Sequence, residues 1–228
     1  MNIAIIPARG GSKRIPRKNI KLFHGKPLIA YSITAAINSG CFDKVIVSTD
    51  DAEIADISSR LGAETPFLRP QSISDDFTTT LDVIKHALDW YEEKSIHIDR
   101  VCCIYATAPF INESDLKKAY QLLHAEPLDY VFSATRYAFP IQRALKINSA
   151  GTIEMFQPEH IETRSQDLPA AYHDAGQFYW GTANAFREKR IIFGQHSKAI
   201  LLPRKRVQDI DTPEDWELAE ALYKASLC

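Results

Sequence analysis

The chain has few cysteines, four in 228 residues, at positions 41, 102, 103 and 228. Their spacing matches neither a zinc site nor the paired framework of a small disulfide-stabilised domain. We therefore expect free thiols in a reducing compartment. Cys102 and Cys103 are adjacent in an apolar run, and on a strand adjacent side chains face opposite sides of the sheet.

The chain also lacks an apolar run long enough to cross a membrane as a helix. The first residues lead directly into a short apolar run without the features of a signal peptide, so we expect a cytoplasmic protein. The formal net charge is only −2, which argues against nucleic-acid and membrane partners. A hydrophobic fraction of 45% with 25% charged residues is typical of a soluble globule, and the length predicts a single domain over 1–228.

Two common phosphate-binding motifs are missing as well. The P-loop pattern requires a Gly directly before Lys-Ser/Thr, whereas Lys18 follows Arg17 and precedes Asn19. The Gly-x-Gly-x-x-Gly pattern is absent, which argues against a nicotinamide or flavin enzyme.

A basic loop, Pro7–Asn19, follows the apolar run at residues 3–6. Gly10 and Gly11 permit close approach of the backbone to a ligand, and successive N–H groups after a strand form an anion site. The loop carries five positive charges within ten residues, at Arg9, Lys13, Arg14, Arg17 and Lys18. A nucleoside triphosphate is the counter-charge we predict, and a merely solvated basic loop is the alternative.

Apolar runs and helical periodicity alternate through the first 135 residues. They predict buried strands at 3–6, 45–49, 101–105 and 130–135, and helices beginning near Pro27, at 52, near Thr78–Thr80 and at 113. Such alternation predicts an α/β fold with a mainly parallel sheet. The basic loop and the segments around Asp50 and Thr107 all follow strands, so we expect them at one sheet edge, where open α/β sheets bind ligands.

Residues 138–174 interrupt this alternation. The segment contains three prolines, a hairpin-like stretch at 145–153 and little helical periodicity. We interpret it as an arm inserted between strands of the sheet.

Asp209 and Asp211 form the second candidate site. Residues two apart on an extended segment point to the same side, so both carboxylates converge while Ile210 points inward. Two carboxylates beside a triphosphate suit Mg²⁺. Residues 211–215 also read as a helix start, with Thr212 as N-cap, which explains Asp211 or Thr212 but not Asp209.

Seven short blocks stand out along the chain: Ala8-Arg9-Gly10-Gly11-Ser12-Lys13, Ile15-Pro16-Arg17-Lys18-Asn19, Ser48-Thr49-Asp50-Asp51, Arg69-Pro70, Ala106-Thr107-Ala108-Pro109, Asp174-Ala175-Gly176-Gln177-Phe178-Tyr179 and Asp209-Ile210-Asp211-Thr212-Pro213. Together they resemble the cytidylyltransferases that activate nonulosonic acids, which are the CMP-sialic acid synthetases and their relatives. Arg14, where sialic acid enzymes usually have Gly, is most similar to the branch acting on pseudaminic acid.

The resemblance implies a Rossmann-like nucleotidyltransferase three-layer sandwich whose arm at 138–174 forms a homodimer. It also implies that a sugar hydroxyl attacks the α-phosphorus of CTP and that pyrophosphate leaves. Arg9, Lys18 and Asp211 are then the catalytic residues, and Asp209 and Asp211 hold Mg²⁺. The implied CTP-binding residues are Arg9, Gly10, Gly11, Ser12, Lys18, Asn19 and Arg69.

The resemblance places the nonulosonic acid sugar against a further set of residues: Tyr105, Thr107, Asp174, Gln177 and Tyr179. Tyr105 and Ala175 stand where sialic acid enzymes usually have Gln and Asn, which argues against sialic acid. Tyr105, Gln177 and Trp180 suit a sugar with a terminal methyl group, as in pseudaminic acid, although Trp180 also fits a strand core.

Other functions stay open at this point. The same reaction on sialic, legionaminic or 3-deoxy-manno-octulosonic acid is one alternative, and a non-catalytic nucleotide-sensing module is another. A sensor has little need for both the basic loop and the paired aspartates. A metal-dependent glycosyltransferase would use the aspartates but has less use for the loop, because it expels no pyrophosphate.

Overall fold

The computed structural model describes residues 1–226, and Cys228 lies outside the described residues. The strands are β1 Asn2–Pro7, β2 Leu22–Phe23, β3 Lys26–Pro27, β4 Lys44–Ser48, β5 Arg100–Ile104, β6 Tyr130–Arg136, β7 Leu145–Ile147, β8 Ile153–Met155, β9 Tyr172–Thr182 and β10 Ser197–Leu202. The helices are α1 Leu28–Ser39, α2 Ala52–Arg60, α3 Thr80–Glu93, α4 Glu113–Ala125, α5 Ala183–Arg187 and α6 Pro213–Ser226.

Six strands form one sheet in the order β10-β6-β9-β5-β1-β4. The pairs β1–β4, β1–β5 and β6–β10 are parallel, whereas β9 is antiparallel to both of its neighbours. The predicted mainly parallel sheet is therefore confirmed, with one antiparallel strand in its interior.

Helices cover both faces of this sheet. One core cluster joins Cys102 to α1 and α4, and the other joins Cys103 to α3 and α5. Both cysteines are completely buried, and they face opposite sides as predicted. The three-layer α/β architecture is confirmed.

The helix boundaries follow local capping signals. Helix α1 ends before Gly40, which adopts the left-handed conformation with φ 62° that its position predicts. Thr79 and Asp82 form a capping box at the start of α3, and the Asn112 side chain accepts from the Ser114 N–H at the start of α4. A short β2–β3 hairpin precedes α1, which the sequence analysis did not predict.

The stretch after α2 runs beside β4 as an extended edge. Isolated parallel bridges join Ile46 to Glu64 and Thr49 to Leu68, and the Arg69 N–H donates to the Thr49 carbonyl at 2.7 Å. This pairing carries Arg69 to the carboxyl end of the sheet.

The insert between β6 and β9 contains the predicted hairpin, β7–β8, and three short 3₁₀ helices. The predicted arm at 138–174 is too long at its C-terminal end, because β9 begins at Tyr172. Asp174 pairs with Ala134 inside the main sheet, next to an irregularity in the β6–β9 register. The long antiparallel partner of β5 and β6 therefore includes residues that the local sequence assigned to the arm.

Helix α6 closes the sheet edge near the basic loop. Ile210 and Trp216 pack with Ile15, Phe23 and Leu28 in a third apolar cluster. Ile210 is completely buried, as predicted from the Asp209–Asp211 spacing. Within residues 1–226, no helix has the length and apolar character needed to cross a membrane.

Candidate active site

The basic loop and the end of β5 border a cavity of about 320 Å³. Its walls come from the loop, from residues 69–83, from the end of β5 and from the segment that carries Asp211. The predicted residues among its lining are Arg9, Ser12, Lys18, Asn19, Arg69, Tyr105, Thr107 and Asp211. The convergence of separate loops on one sheet edge agrees with the expectation from the strand order.

Gly10 shapes the loop through contacts with the two aspartates that follow β4. Its N–H donates to Asp50 Oδ1 at 3.0 Å. A Cβ on residue 10 would lie 2.6 Å from Asp51 Oδ2, so only glycine fits there. Asp51 in turn accepts from Ile54 N at the start of α2 and from the Arg17 guanidinium. Arg17 therefore fixes the loop to α2, and its hydrogen bonds to Asp51 lower the pKa of that carboxyl.

Arg9 and Lys13 share one carboxylate. Arg9 Nη1 lies 2.5 Å from Asp76 Oδ1, and Lys13 Nζ lies 2.5 Å from Asp76 Oδ2. Hydrogen bonds from Lys13 and Arg9 lower the pKa of Asp76. Arg9, Lys13 and Asp76 all line the cavity, so these two cations can bind one anion there.

Lys18 connects the basic loop to the acidic segment, which is residues 209–211. Its Nζ donates to the Ile210 carbonyl at 2.5 Å and to Asp211 Oδ1 at 3.2 Å. Arg14 Nη2 lies 2.8 Å from the other Asp211 oxygen. Lys18 is only 17% exposed, so this contact is a fixed part of the cavity wall.

Unlike Asp211, the Asp209 side chain forms no ion pair within residues 1–226. Partial desolvation and then the nearby Asp211 charge raise its pKa, although the residue itself is exposed. This is the environment that a divalent cation relieves. No group of three or more His, Cys, Asp or Glu able to hold a metal occurs in the described chain, so the two carboxylates fit Mg²⁺ only together with substrate phosphates and water.

Arg69 is the buried cation of the cavity, with a side chain only 3% exposed. Its Nε donates to Ser74 Oγ at 3.1 Å, and its nearest carboxylate, Asp50, is 3.9 Å away. Burial lowers the pKa of the guanidinium. Arg69 can therefore donate further hydrogen bonds into the cavity, and its predicted contact with CTP stays a prediction.

Asn19 stabilises the basic loop itself, and neither Gly10 nor Gly11 lines the cavity. Asn19 is buried, lines the cavity and donates to the Arg9 carbonyl at 2.9 Å, which holds the loop closed. Gly11 has open space around it and does not line the cavity. The predicted contacts of Gly10 and Gly11 with CTP stay predictions.

The predicted sugar residues divide between two adjoining cavities. Thr107 lines the main one, and Asp174 and Tyr179 line a second, mostly apolar cavity of about 200 Å³. Tyr105 and Thr80 line both, so the two cavities adjoin, and the Tyr105 hydroxyl lies 3.4 Å from Thr80 Oγ1.

Inside the second cavity the Tyr179 hydroxyl donates to Asp174 Oδ2, and Gly176 N–H donates to the other oxygen at 2.9 Å. Burial raises the pKa of Tyr179 far above its ordinary value and also raises that of Tyr105. Both phenols are therefore hydrogen-bonding groups rather than acids at neutral pH.

Gln177 and Trp180 lie away from both cavities. Gln177 is buried, and its Nε2 donates to the Arg206 carbonyl at 2.5 Å. Trp180 is completely buried and stacks on Phe42 at 4.7 Å, so the strand-core interpretation of Trp180 is the correct one. The predicted contact of Gln177 with a sugar stays a prediction.

Sequence reasoning missed several cavity residues. Asp76, Thr80 and Val83 line the cavity from the loop before α3 and from its first turn. The prolines and acidic residues of 62–76 are typical of a long loop, but no local pattern indicates which of its residues face the basic loop. The Asp76 contact spans 67 residues from Arg9, and no local pattern encodes such a distance.

The profile of the family described as Cytidylyltransferase matches residues 3–227. The chain belongs to the cytidylyltransferase family. It is accordingly an enzyme of the nucleotidyltransferase class, as the resemblance predicted.

Several named relatives match this cytidylyltransferase over most of its length. Pseudaminic acid cytidylyltransferase from Campylobacter jejuni is 48% identical over 225 residues, covering 99% of this chain and 97% of its own. CMP-N,N'-diacetyllegionaminic acid synthase from Legionella pneumophila is 33% identical, covering 97% and 96%. N-acylneuraminate cytidylyltransferase from Escherichia coli is 32% identical, covering 95% of this chain and 51% of its own.

Solved structures support the fold. A CMP:2-keto-3-deoxy-manno-octonic acid synthetase complexed with CTP superposes with a TM-score of 0.70 over 99% of both chains, at 17% identity. A 4-diphosphocytidyl-2C-methyl-D-erythritol synthase from Anaerococcus prevotii superposes with a TM-score of 0.63 over 98% of both chains, at 15% identity. The Rossmann-like nucleotidyltransferase fold is confirmed.

Proposed function

We propose that this cytidylyltransferase converts CTP and pseudaminic acid into the CMP-sugar and pyrophosphate. The observation that carries the proposal is 48% identity, over nearly the full length of both chains, to the pseudaminic acid enzyme of Campylobacter jejuni. The cavity supplies the chemistry that the reaction needs, because it presents cations to a triphosphate and adjoins a mostly apolar cavity for the acceptor.

The triphosphate binds against the basic loop. Arg9 and Lys13, which already bind the Asp76 carboxylate, exchange it for phosphate oxygens and neutralise the negative charge. Ser12 adds a hydroxyl on the same wall. Lys18 lies between this wall and Asp211, so its charge stabilises the departing pyrophosphate while its bond to Ile210 keeps it in position.

Asp209 and Asp211 would hold Mg²⁺ together with the substrate phosphates. The cation, when bound, stabilises negative charge on the phosphates and lowers the pKa of a bound hydroxyl. Arg14 and Lys18 neutralise Asp211 in its absence. Because no histidine is among the residues lining the main cavity, positioning and charge stabilisation dominate the catalysis.

The nucleobase lies against Arg69. A buried guanidinium with spare N–H donors matches the carbonyl oxygen and ring nitrogen acceptors of cytosine. Burial removes competing water, so each hydrogen bond counts more towards selection of the base.

The sugar acid enters from the side of Tyr105 and Thr107. The second cavity accepts its apolar substituents, with Asp174 and Tyr179 as a hydrogen-bonded pair in a mostly apolar lining. This lining favours a methyl-terminated sugar over one ending in a hydroxylated chain.

We also propose that two copies associate through the insert. Several large apolar side chains within this short segment are exposed: Phe139 81%, Ile147 74%, Phe156 63%, Ile153 62% and Ile161 62%. Such a patch marks an interaction surface. Sedimentation at micromolar concentration should give a dimer, and an Ile147→Asp/Phe139→Asp variant should give a monomer; a monomeric parent protein contradicts this part of the proposal.

The reaction is tested by pyrophosphate release with CTP and Mg²⁺ and each of four acceptors in parallel: pseudaminic, legionaminic, N-acetylneuraminic and 3-deoxy-manno-octulosonic acid. Turnover that requires an acceptor and is fastest with pseudaminic acid supports the proposal. Fastest turnover of another acceptor refutes the substrate assignment while leaving cytidylyl transfer intact. Binding of CTP without turnover of any acceptor would instead identify a sensor.

A further inference from the structure

Gln177 is almost completely buried, but its side chain lines neither cavity, whereas the nearby Asp174 and Tyr179 both line the second one. The exposed fraction of Gln177 is 3%. The backbone N–H groups of Gln177 and Phe178 both turn to Ser133 Oγ, at 3.2 and 3.3 Å, where the β6–β9 register is irregular. This irregularity places the Gln177 amide beside the carbonyl of Arg206, 2.5 Å from Nε2.

Arg206 is held from a second direction. Its Nη1 donates at 2.7 Å to Asp115, a carboxylate only 6% exposed in the first turn of α4. Gln177 thus fixes the main chain of Arg206, and Asp115 fixes its side chain. A charged pair with little exposure loses much stabilisation when one partner is removed.

Arg206 ends the 3₁₀ helix that leads into the acidic segment, three residues before Asp209. The far end of that segment is held by Lys18 on the Ile210 carbonyl and by the burial of Ile210. Residues 207–209 between these two anchors include no buried residue, and Gln208 Nε2 lies 3.4 Å from Asp215 Oδ1. The position of the Asp209 carboxylate therefore depends on the anchors on both sides, at Ile210 and at Arg206.

We propose that Gln177 and Asp115 are positioning residues that fix the segment 206–209 so that Asp209 and Asp211 converge on one cation. Gln177 acts through the Arg206 backbone, and its side chain lines neither cavity. The inference rests on the proposed function for the role of Asp209, but the positioning of the segment is measurable without it. Partners that orient metal ligands typically change metal affinity 10–100-fold when they are altered.

The test compares Gln177→Met, which keeps the chain length and removes the donor, with Asp115→Asn and with a matched control. The control is Thr135→Val, because the buried Thr135 hydroxyl also donates to a main-chain carbonyl, that of Leu202, at 2.8 Å. Hydrogen exchange of peptides covering 204–211 is measured on the ligand-free protein. Mn²⁺ affinity is measured by electron paramagnetic resonance with a non-hydrolysable CTP analogue.

Faster exchange at 207–209 in Gln177→Met and Asp115→Asn, with Mn²⁺ affinity reduced about tenfold and acceptor KM within about twofold of the parent, is the expected result. Unchanged exchange, or faster exchange with unchanged Mn²⁺ affinity, overturns the inference. A large rise in acceptor KM alone would instead assign Gln177 to the sugar. A parent protein that turns over without a divalent cation refutes the metal assignment, and with it the effect on metal, while the exchange data still report whether Gln177 fixes the segment.

Discussion

Asp76 forms a hydrogen-bonded ion pair with Arg9, with Arg9 Nη1 2.5 Å from Asp76 Oδ1. The other oxygen of the same carboxylate accepts from Lys13. Residue 76 thus occupies, in the ligand-free chain, the cations that we assign to a triphosphate. CTP must displace it.

Replacement of Asp76 by Asn should therefore tighten CTP binding. The pair is exposed and its net contribution is small, so we expect KM for CTP to fall about two- to fivefold with little change in kcat. Asp56→Asn is the matched control, because Asp56 forms an exposed ion pair with Arg60 on α2, away from the cavity. An unchanged or higher KM for CTP would show that Asp76 does not compete with the triphosphate.

Asp211→Ala should reduce kcat at least about a hundredfold, because it removes one of the two carboxylates to which we assign the metal. The fold should persist, since Lys18 keeps its bond to the Ile210 carbonyl. Circular dichroism checks the fold, and pyrophosphate release checks turnover. Glu214→Gln, an exposed change in the first turn of α6, is the control and should retain activity. Near-normal turnover of Asp211→Ala at saturating Mg²⁺ would contradict the metal assignment.

Asp209→Asn should stabilise the ligand-free protein at neutral pH while lowering activity. Partial desolvation and then the Asp211 charge raise the pKa of Asp209 in the folded chain, so the folded state binds a proton at this group more tightly than the unfolded state does. Because the residue is exposed, solvent screening keeps this difference small. Its favourable contribution is present at acidic pH and is lost as pH rises through the raised pKa.

Melting temperatures of parent and Asp209→Asn, measured from pH 4 to pH 7 without metal, check this sign. The advantage of the variant should grow as the pH rises. Saturating Mg²⁺ with CTP should reduce it, because the cation compensates the parent's second negative charge. An advantage that is independent of pH would contradict the electrostatic cause.

Arg69→Lys should raise KM for CTP about tenfold or more, since lysine cannot reproduce the planar set of donors and its ammonium is strongly hydrated. The discrimination between CTP and UTP should fall by a comparable factor if Arg69 recognises the base. Arg190→Lys is the control, because the Arg190 side chain is 44% exposed and pairs with Asp129. Unchanged base selectivity would place the base elsewhere in the cavity.

Local signals predicted most of the fold. The apolar period of α1 and Gly40 define that helix, and the Asn112 cap predicts the start of α4. The opposite burial of Cys102 and Cys103 follows from strand geometry alone. Each of these features depends on neighbours within a few residues.

What the sequence did not predict depends on distant partners. Strand β9 lies between β5 and β6, although some 35 residues of insert separate it from β6, and its early start takes Asp174 out of the arm. The Gln177 amide points to Arg206 because of an irregularity in the β6–β9 pairing that no local pattern marks. The convergence of the basic loop and the Thr107 segment on one sheet edge was predicted, because that inference needs only the strand ends.

The contact between Gly10 and Asp51 has a consequence for ligand affinity. Asp51 starts helix α2, binds Arg17 and leaves room at residue 10 for a hydrogen atom only. The basic loop therefore cannot change shape without loosening the first turn of α2, and most of it is already ordered before CTP arrives. Ligand binding then loses conformational entropy mainly in the loop 71–79, where Asp76 must release its cations, and not in the loop that receives the phosphates.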